Sequence, residues 1–305
     1  MIKNKKGFTW IVIAIGILGV ILFSAKAVMV KLAYQYNVTA VNLLMFRMLF
    51  SLPFYVLVLL FTKKSEQKQG KKEYLWLVVF GIIGYYLASY FDFIGLQYIK
   101  ASIERIILFI YPTIVVLLSR IFLKRPITKV QLMAILLTYF GVVVSFWDEL
   151  GIEGSQFLLG ATFIFLSALT YASYLTGSDW LIPKFGVTRF TSYAMIISCG
   201  AVVLHYLIFE HTTLLGYNAN VYWLGLGMAL LSTVIPSYLV SYCIKEIGAS
   251  NFAILGGLGP ISTIILASIF LGEHLTMLQL GGTLLVIVGI IAISLNKSTY
   301  KKSGS

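Results

Sequence analysis

Long apolar stretches separated by short polar connections run along most of this 305-residue chain. A helix needs about 20 mostly apolar residues to cross the hydrocarbon core of a bilayer. The pattern therefore predicts an all-α integral membrane protein with ten transmembrane helices. The predicted spans are 8–33, 39–62, 74–97, 100–122, 129–147, 156–177, 188–208, 220–244, 249–271 and 276–295.

Part of this pattern occurs twice. The segment that begins at Ala101 recurs without a gap 148 positions later, from Ala249. Leu and Ile matches carry little weight in so apolar a chain, so the informative matches are Pro112 with Pro260, Thr128 with Thr276, Gln131 with Gln279 and Gly141 with Gly289. The repeat predicts two halves, 1–150 and 151–305, of five spans each. An odd number of spans per half inserts the second half in the opposite sense.

Composition and charge agree with a membrane protein. Hydrophobic residues make up 59% of the chain and charged residues 11%, whereas about a quarter of residues are charged in soluble domains. The net charge of +12 would suggest a nucleic-acid partner in a soluble protein. Here most basic residues lie at the termini and in every second loop, while the alternate loops carry Asp148, Glu149, Glu153, Glu210 and Glu273. This asymmetry predicts a multi-pass protein of the bacterial inner membrane, with both termini cytoplasmic and no nucleic-acid partner.

Ionisable side chains inside predicted spans cost about 2.5–3.5 kcal/mol each near a helix centre, so each needs a reason to be there. Five are predicted to lie at one level, namely Lys26, Arg47, Asp92, Glu104 and Arg105. They sum to three positive and two negative charges, so a substrate carboxylate would complete the set. The alternative is a purely structural cluster, with Lys26 paired to Asp92 and Arg47 to Glu104. Because neighbours on a helix point in different directions, Glu104 and Arg105 are not expected to face one point.

Aromatic and proline residues supply the remaining candidates. Tyrosines near mid-span need hydrogen-bond partners and are candidates for a cavity wall; they are Tyr86, Tyr90, Tyr111, Tyr171, Tyr174, Tyr238 and Tyr242. The alternative is that they serve packing or anchor the spans at the membrane interface. Pro112 and Pro260 occupy equivalent places and each frees a backbone carbonyl, which predicts paired hinges together with Gly257. Bends that packing alone accommodates are the alternative.

Enzyme motifs are missing from the sequence. It contains no metalloprotease helix pair, nucleophile elbow or phosphate-binding glycine loop, and its three histidines lack metal-ligand spacing. We therefore expect no catalytic residue, no metal and no cofactor. The expected partners are a small-molecule substrate and the lipid bilayer; the oligomeric state stays open, and a monomer is compatible with the sequence.

The ends of the two halves resemble the ten-helix EamA-type members of the drug/metabolite transporter superfamily. The residues that carry the resemblance are Ala249-Ser250, Pro260, Phe270-Leu271-Gly272-Glu273, Gln279 and Gly289. The first half departs from the pattern at Lys124-Arg125, where the second half has Gly-Glu. The resemblance implies a basket-like bundle that opens alternately to each side, with a central cavity lined by spans one, three, four, six, eight and nine. Small multidrug members have an acidic residue on the first span where this chain has Lys26, which disfavours cationic-drug efflux.

The leading hypothesis is a bacterial exporter of small metabolites such as amino acids or related carboxylates, working by alternating access. Lys26 or Arg47 would hold the carboxylate, and Asp92 or Glu104 would balance the charge or carry a coupling proton. Tyr90, Tyr171 and Tyr238 would contact the apolar part of the substrate. A lipid-linked sugar flippase, a cationic-drug exporter and a non-transporting receptor or membrane enzyme remain alternatives.

Overall fold

The computed structural model describes residues 5–62, 69–145, 147, 155–210 and 212–272, and within the last predicted span residues 277–278, 280–282, 284–285 and 287–288. Throughout these residues the regular secondary structure is helical. The α-helices are α1 Lys5–Tyr34, α2 Ala40–Phe61, α3 Lys71–Gly81, α4 Ala88–Tyr98, α5 Ala101–Leu108, α6 Tyr111–Phe122, α7 Lys129–Ser145, α8 Ser155–Phe185, α9 Val187–Phe209, α10 Ala219–Ala229, α11 Ile235–Ile247, α12 Ala249–Leu255 and α13 Leu258–Leu271.

Within the described residues, seven helical segments are long and apolar enough to cross a membrane: Trp10–Tyr34, Ala40–Phe61, Lys71–Tyr98, Gln156–Phe185, Val187–Phe209, Ala219–Ile247 and Ala249–Leu271. Large apolar side chains cover their outer surface; Phe61 is 87% exposed and Phe209 is 71% exposed. Such a surface is stable only against lipid, where apolar groups face an apolar solvent. The protein is therefore a multi-pass membrane protein, whose shorter apolar helices include Tyr111–Phe122.

Irregular helix geometry recurs at the spacing of the sequence repeat. A π-helix, Ile82–Leu87, joins α3 to α4, and a second, Leu230–Val234, joins α10 to α11. The first residues of these two segments are 148 positions apart, like the repeated sequence. The break between α5 and α6 likewise has its counterpart between α12 and α13. Equivalent parts of the two halves thus depart from α-helical geometry in the same way.

Helix packing also follows the repeat. The helix α1 packs on α11 and α13, and the equivalent α8 packs on α4 and α6. The helices α2 and α9, which are equivalent to each other, pack together. Most of these contacts join one half to the other, so the core lies between the halves rather than within each.

Glycines allow close approach between the halves. A Cβ atom on Gly84 would overlap the Tyr174 side chain, and one on Gly177 would overlap the Phe80 ring. Small residues let helices pack closely in lipid, where burial of apolar surface does not drive association. This reciprocal packing joins the end of α3 and the π-helix that follows it to α8.

Most predicted span boundaries agree with the structure to within three residues, and the sixth is the main exception. Its prediction ends at 177, but α8 continues to Phe185 and includes Pro183 in its last turn. A proline there leaves most of the helix intact, because only the carbonyl one turn earlier loses its partner. The correction moves Asp179 from a predicted loop into a helix. The tenth span, 276–295, lies largely outside the described residues. Those of its residues that are described are helical.

Candidate functional site

A cluster of four buried charged side chains, all on helices of the first half, lies in the core of the protein. Lys26 of α1 places its Nζ atom 2.7 Å from Oδ2 of Asp92 on α4, and Arg105 Nε lies 3.0 Å from Glu104 Oε2 on the same short helix α5. At most 5% of any of these side chains is exposed. Attraction between opposite charges at these short distances holds both pairs. Buried pairs of this kind need close contact to offset desolvation.

The Glu104–Arg105 pair contradicts one expectation. Neighbouring residues on a helix were not expected to face one point, but both side chains are buried and contact each other. The arginine side chain is long enough for its Nε atom to reach the carboxylate of the preceding residue, at 3.0 Å. The two side chains therefore meet although neighbouring Cβ atoms on a helix diverge.

Arg47 is the remaining cation, and it pairs with hydroxyl groups instead of a carboxylate. Its Nε donates to Thr233 Oγ1 at 2.6 Å, and its Nη1 donates to Ser89 Oγ at 2.9 Å. The side chain is fully buried, and among the described residues no carboxylate lies within ion-pair distance. The predicted Arg47–Glu104 pair is therefore wrong, whereas the predicted Lys26–Asp92 pair is present. Arg47 joins α4 to the second π-helix and thus connects the two halves.

Two adjoining cavities border the charged cluster. The Arg105 cavity has a volume of about 30 Å³, and Ser24, Tyr111, Val240 and Pro260 also line it. The Lys26 cavity has a volume of about 10 Å³, and Ser89 and Ser167 also line it. The lining helices belong to spans one, three, four, six, eight and nine, as the family resemblance implies. Cavities this small hold little more than water, so a substrate of several atoms requires the lining side chains to move apart.

The predicted tyrosines divide into two groups. Tyr111 and Tyr171 line the Arg105 cavity, Tyr171 also lines the Lys26 cavity, and Tyr174 packs behind Tyr171 with ring centroids 6.4 Å apart. The others lie outside both linings. Tyr86 hydrogen-bonds His205 Nδ1 at 2.8 Å, and the Tyr90 ring packs on the same histidine.

Tyr238 belongs to the second group and hydrogen-bonds Ser192 Oγ at 2.8 Å, while Tyr242 is half-buried outside the cavities. Helical spacing alone does not distinguish the tyrosines near the cavities from the others. The difference depends on how α4 and α11 are rotated about their axes within the bundle.

The predicted hinge residues lie at the two helix breaks, and both breaks adjoin the Arg105 cavity. Pro112 is in the first turn of α6, and Pro260 in the first turn of α13 lines the cavity. Pro260 has no amide hydrogen to donate to Gly256, whose carbonyl accepts a bond from Gly259 at 2.8 Å instead. Gly257 lies in that break, and its amide donates to Ile254 at 3.0 Å. The Tyr111 hydroxyl occupies the place where a Cβ on Gly256 would stand.

The sequence prediction missed one buried charge, Asp179 of α8. Its carboxylate forms a bidentate ion pair with Arg125, in which Nη2 and Oδ1 are 3.1 Å apart. It also accepts a hydrogen bond from the Ala249 amide at 2.9 Å. Gly248, at φ +80°, lets Arg125 approach the start of α12 closely. This contact links α8, the connection after α6 and the ninth span. An acidic residue two positions beyond a predicted span end was the available signal.

Comparison with known proteins identifies the family. A sequence profile of the EamA-like transporter family matches the chain twice, over residues 9–147 and 158–295. The chain belongs to the EamA-like transporter family. The EamA-like family is part of the drug/metabolite transporter superfamily, which the sequence also resembles.

The relatives of this EamA-like protein are themselves described only as transporters. An uncharacterized transporter of Bacillus subtilis, YcbK, is 31% identical over 284 residues, which is 90% of each chain. A second from the same organism, YyaM, is 26% identical and covers 78% of this chain and 79% of its own. A solved crystal structure matches 95% of this chain and 99% of its own with a TM-score of 0.75 at 15% identity, which shows a shared fold.

Proposed function

We propose that this EamA-like protein exports small zwitterionic metabolites, amino acids above all, across a bacterial inner membrane. The observation that carries the proposal is the Glu104–Arg105 pair, whose arginine lines a cavity with an aromatic wall. An amino acid presents a carboxylate and an ammonium close together. Its carboxylate would replace Glu104 on Arg105, and its ammonium would pair with the released Glu104.

This exchange explains why a zwitterion suits the site. Each ionic contact within the protein is replaced by an ionic contact with the substrate, so no buried charge is left alone. A cation without a carboxylate would leave Arg105 unpaired, and a simple anion would leave Glu104 unpaired. Tyr111 and Tyr171 offer apolar ring surface and hydroxyl groups to the rest of the substrate.

Alternating access of two inverted halves is the proposed mechanism. It is supported by the second π-helix and the second helix break, each 148 positions after the first, and by the matching contacts of α1 and α8. Inverted repeats commonly move against each other around a site at the bilayer midplane. The basic residues at the chain ends and in alternate loops support cytoplasmic termini.

Counterflow in liposomes tests the proposal. Purified protein is reconstituted into vesicles loaded with unlabelled leucine, threonine, glutamate, lactate or choline, and entry of the same labelled compound is measured. We expect counterflow of at least one zwitterionic amino acid. Replacement of Arg105→Gln should lower its initial rate by about tenfold or more, because a hydrogen bond to a charged group contributes about 1.5–3 kcal/mol.

Arg120→Gln is the matched control, because Arg120 is exposed on α6 and lies away from both cavities. Its rate should equal that of the unchanged protein. Counterflow of choline alone, or full amino-acid transport by the Arg105→Gln variant at normal protein levels, contradicts the proposal.

A further inference from the structure

The wall between the two cavities is built around an aromatic pair. Phe23, Leu108 and Tyr171 line both the Arg105 cavity and the Lys26 cavity, so they lie between them. The rings of Phe23 on α1 and Tyr171 on α8 are stacked, with centroids 5.6 Å apart and planes inclined by 12°.

The same pair occupies equivalent positions of the repeat. Tyr171 follows Phe23 by 148 positions, the spacing of the repeated sequence. Gly19 and Ser167 are also 148 positions apart, and each lines a different cavity. The stack therefore joins the two halves where equivalent residues meet.

Each cavity has its own cation, and both cations contact the stack. Lys26 Nζ lies 5.0 Å from the centroid of the Phe23 ring, and Arg105 Cζ lies 5.8 Å from it. Both distances are within the range of cation–π attraction, about 6 Å. The Phe23 ring thus lies next to the anion-binding group of each cavity.

We propose that Phe23 and Tyr171 form an aromatic gate between two anion-binding compartments, with Arg105 receiving the substrate carboxylate in one and Lys26 receiving it in the other. This inference rests on the proposed transport of carboxylate-bearing substrates. When the rings part, the carboxylate moves from one cation to the other while both remain beside Phe23. When they stack, the two compartments are separated.

A small anionic thiol reagent tests the gate without requiring a known substrate. Ser24→Cys places a thiol in the Arg105 cavity and Ser167→Cys places one in the Lys26 cavity, each in a Cys199→Ser, Cys243→Ala background. Sulfonatoethyl methanethiosulfonate is added to one side of the membrane, in right-side-out or inverted vesicles. The rate of modification is then compared between the two sides for each thiol.

With the gate intact, each thiol should react from one side far faster than from the other, and the favoured side should differ between them. Phe23→Ala should raise the slow rates about tenfold or more, because loss of the ring leaves a void in the wall. Tyr171→Phe retains the stacked ring and should leave all rates within about twofold. If Phe23→Ala does not fold, Phe23→Leu and Tyr171→Ala provide further variants. We expect them to raise the slow modification rates, partly or to the full extent expected for Phe23→Ala.

Equal reaction of each thiol from both sides in the parent overturns the gate, as do unchanged slow rates in every folded Phe23 and Tyr171 variant. The thiol-modification rates are measured without the transport assay, so the two experiments can fail separately. A gated pathway without amino-acid counterflow would reject the proposed substrate and keep the gate. Amino-acid counterflow with an ungated pathway would reject the gate alone.

Discussion

Equivalent positions of the two halves differ most in the buried core. Asp92, Glu104 and Arg105 of the first half correspond to Val240, Phe252 and Ala253 of the second, and Lys26 corresponds to Tyr174. All eight residues are buried. One helical framework therefore surrounds ion pairs in one half and apolar or aromatic side chains in the other.

Under the proposed function, this difference gives a repeated fold a directional binding site. At these positions of the first half, ion pairing must offset the desolvation of four charges, and the proposed substrate would exchange these contacts for its own. At the equivalent positions of the second half, apolar and aromatic side chains offer no charge to exchange. Under the proposed function, the charged end of a substrate lies toward the first half and its apolar part toward the second.

The largest effect that tests this contrast should come from Asp92→Leu. Lys26 would lose its partner at 2.7 Å and remain buried, and removal of one member of a buried pair costs about 3–5 kcal/mol. The free energy of unfolding in detergent, from denaturant titration, measures this loss.

The equivalent change in the second half, Val240→Leu, adds one methylene to a buried apolar side chain and should cost about 1–3 kcal/mol, less than the Asp92 change. The double variant Lys26→Met, Asp92→Leu should recover most of the stability lost by Asp92→Leu. Equal losses for the Asp92 and Val240 variants would show that the halves do not differ in this way.

The next largest effect should come from Asp179→Ala, at the contact between α8 and α12. The chain has Lys31 at the equivalent position of the first half, so the charges there are opposite. Because the Arg125 side chain is 35% exposed, we expect a loss of about 2–3 kcal/mol, less than for a fully buried pair. The melting temperature in detergent measures it.

Lys245→Ala provides the control for the Asp179 variant. The Lys245 side chain is 53% exposed and lies 3.9 Å from Glu246, so the melting temperature should not change. An Asp179→Ala variant as stable as the Lys245→Ala variant would mean that the contact does not hold the halves together.

A smaller effect is expected from Thr233→Val, which tests how the halves are joined through Arg47. Thr233, in the second π-helix, accepts from Arg47 Nε and donates to the Met228 carbonyl of α10. Loss of a hydrogen bond to a buried cation costs about 1.5–3 kcal/mol. Thr263→Val removes only a long bond of 3.4 Å to the Ser24 carbonyl and should cost less. Denaturant titration of both variants measures the two losses of stability. A larger loss for Thr263→Val than for Thr233→Val would mean that Thr233 does not hold Arg47.

The smallest of these losses is expected from Gly84→Ala, which tests packing between the first π-helix and α8. The added methyl would overlap Tyr174, and overpacking of a core costs about 1–3 kcal/mol. The equivalent second-half residue is Ser232, which already carries a side chain. Gly200→Ala, with no atom within 4 Å of the added methyl, is the control. A thermal-unfolding comparison that finds both variants equally stable contradicts the close packing.

Much of the fold could be predicted because local chemistry specifies it. Apolar length indicated most helices to within three residues, and Pro112 and Pro260 marked the two helix breaks, since proline removes a backbone donor wherever it occurs. The sixth span continues beyond its predicted end at 177 to Phe185, and Pro183 in its last turn leaves the helix intact. The candidate site was predicted less completely: Lys26 paired with Asp92 as one alternative proposed, but Arg47 did not pair with Glu104.

By itself, the sequence determined the membrane class, the family and the chain positions at which the two halves repeat. These properties depend on composition and on short motifs, which need no knowledge of distant contacts. Only the tertiary structure decided that Arg47 bonds Thr233, 186 positions away, that Tyr86 turns toward His205, and that Phe23 stacks on Tyr171 between two cavities. Such contacts depend on how each helix is rotated within the bundle, and hydrophobic periodicity is weak when almost every face of a helix is apolar.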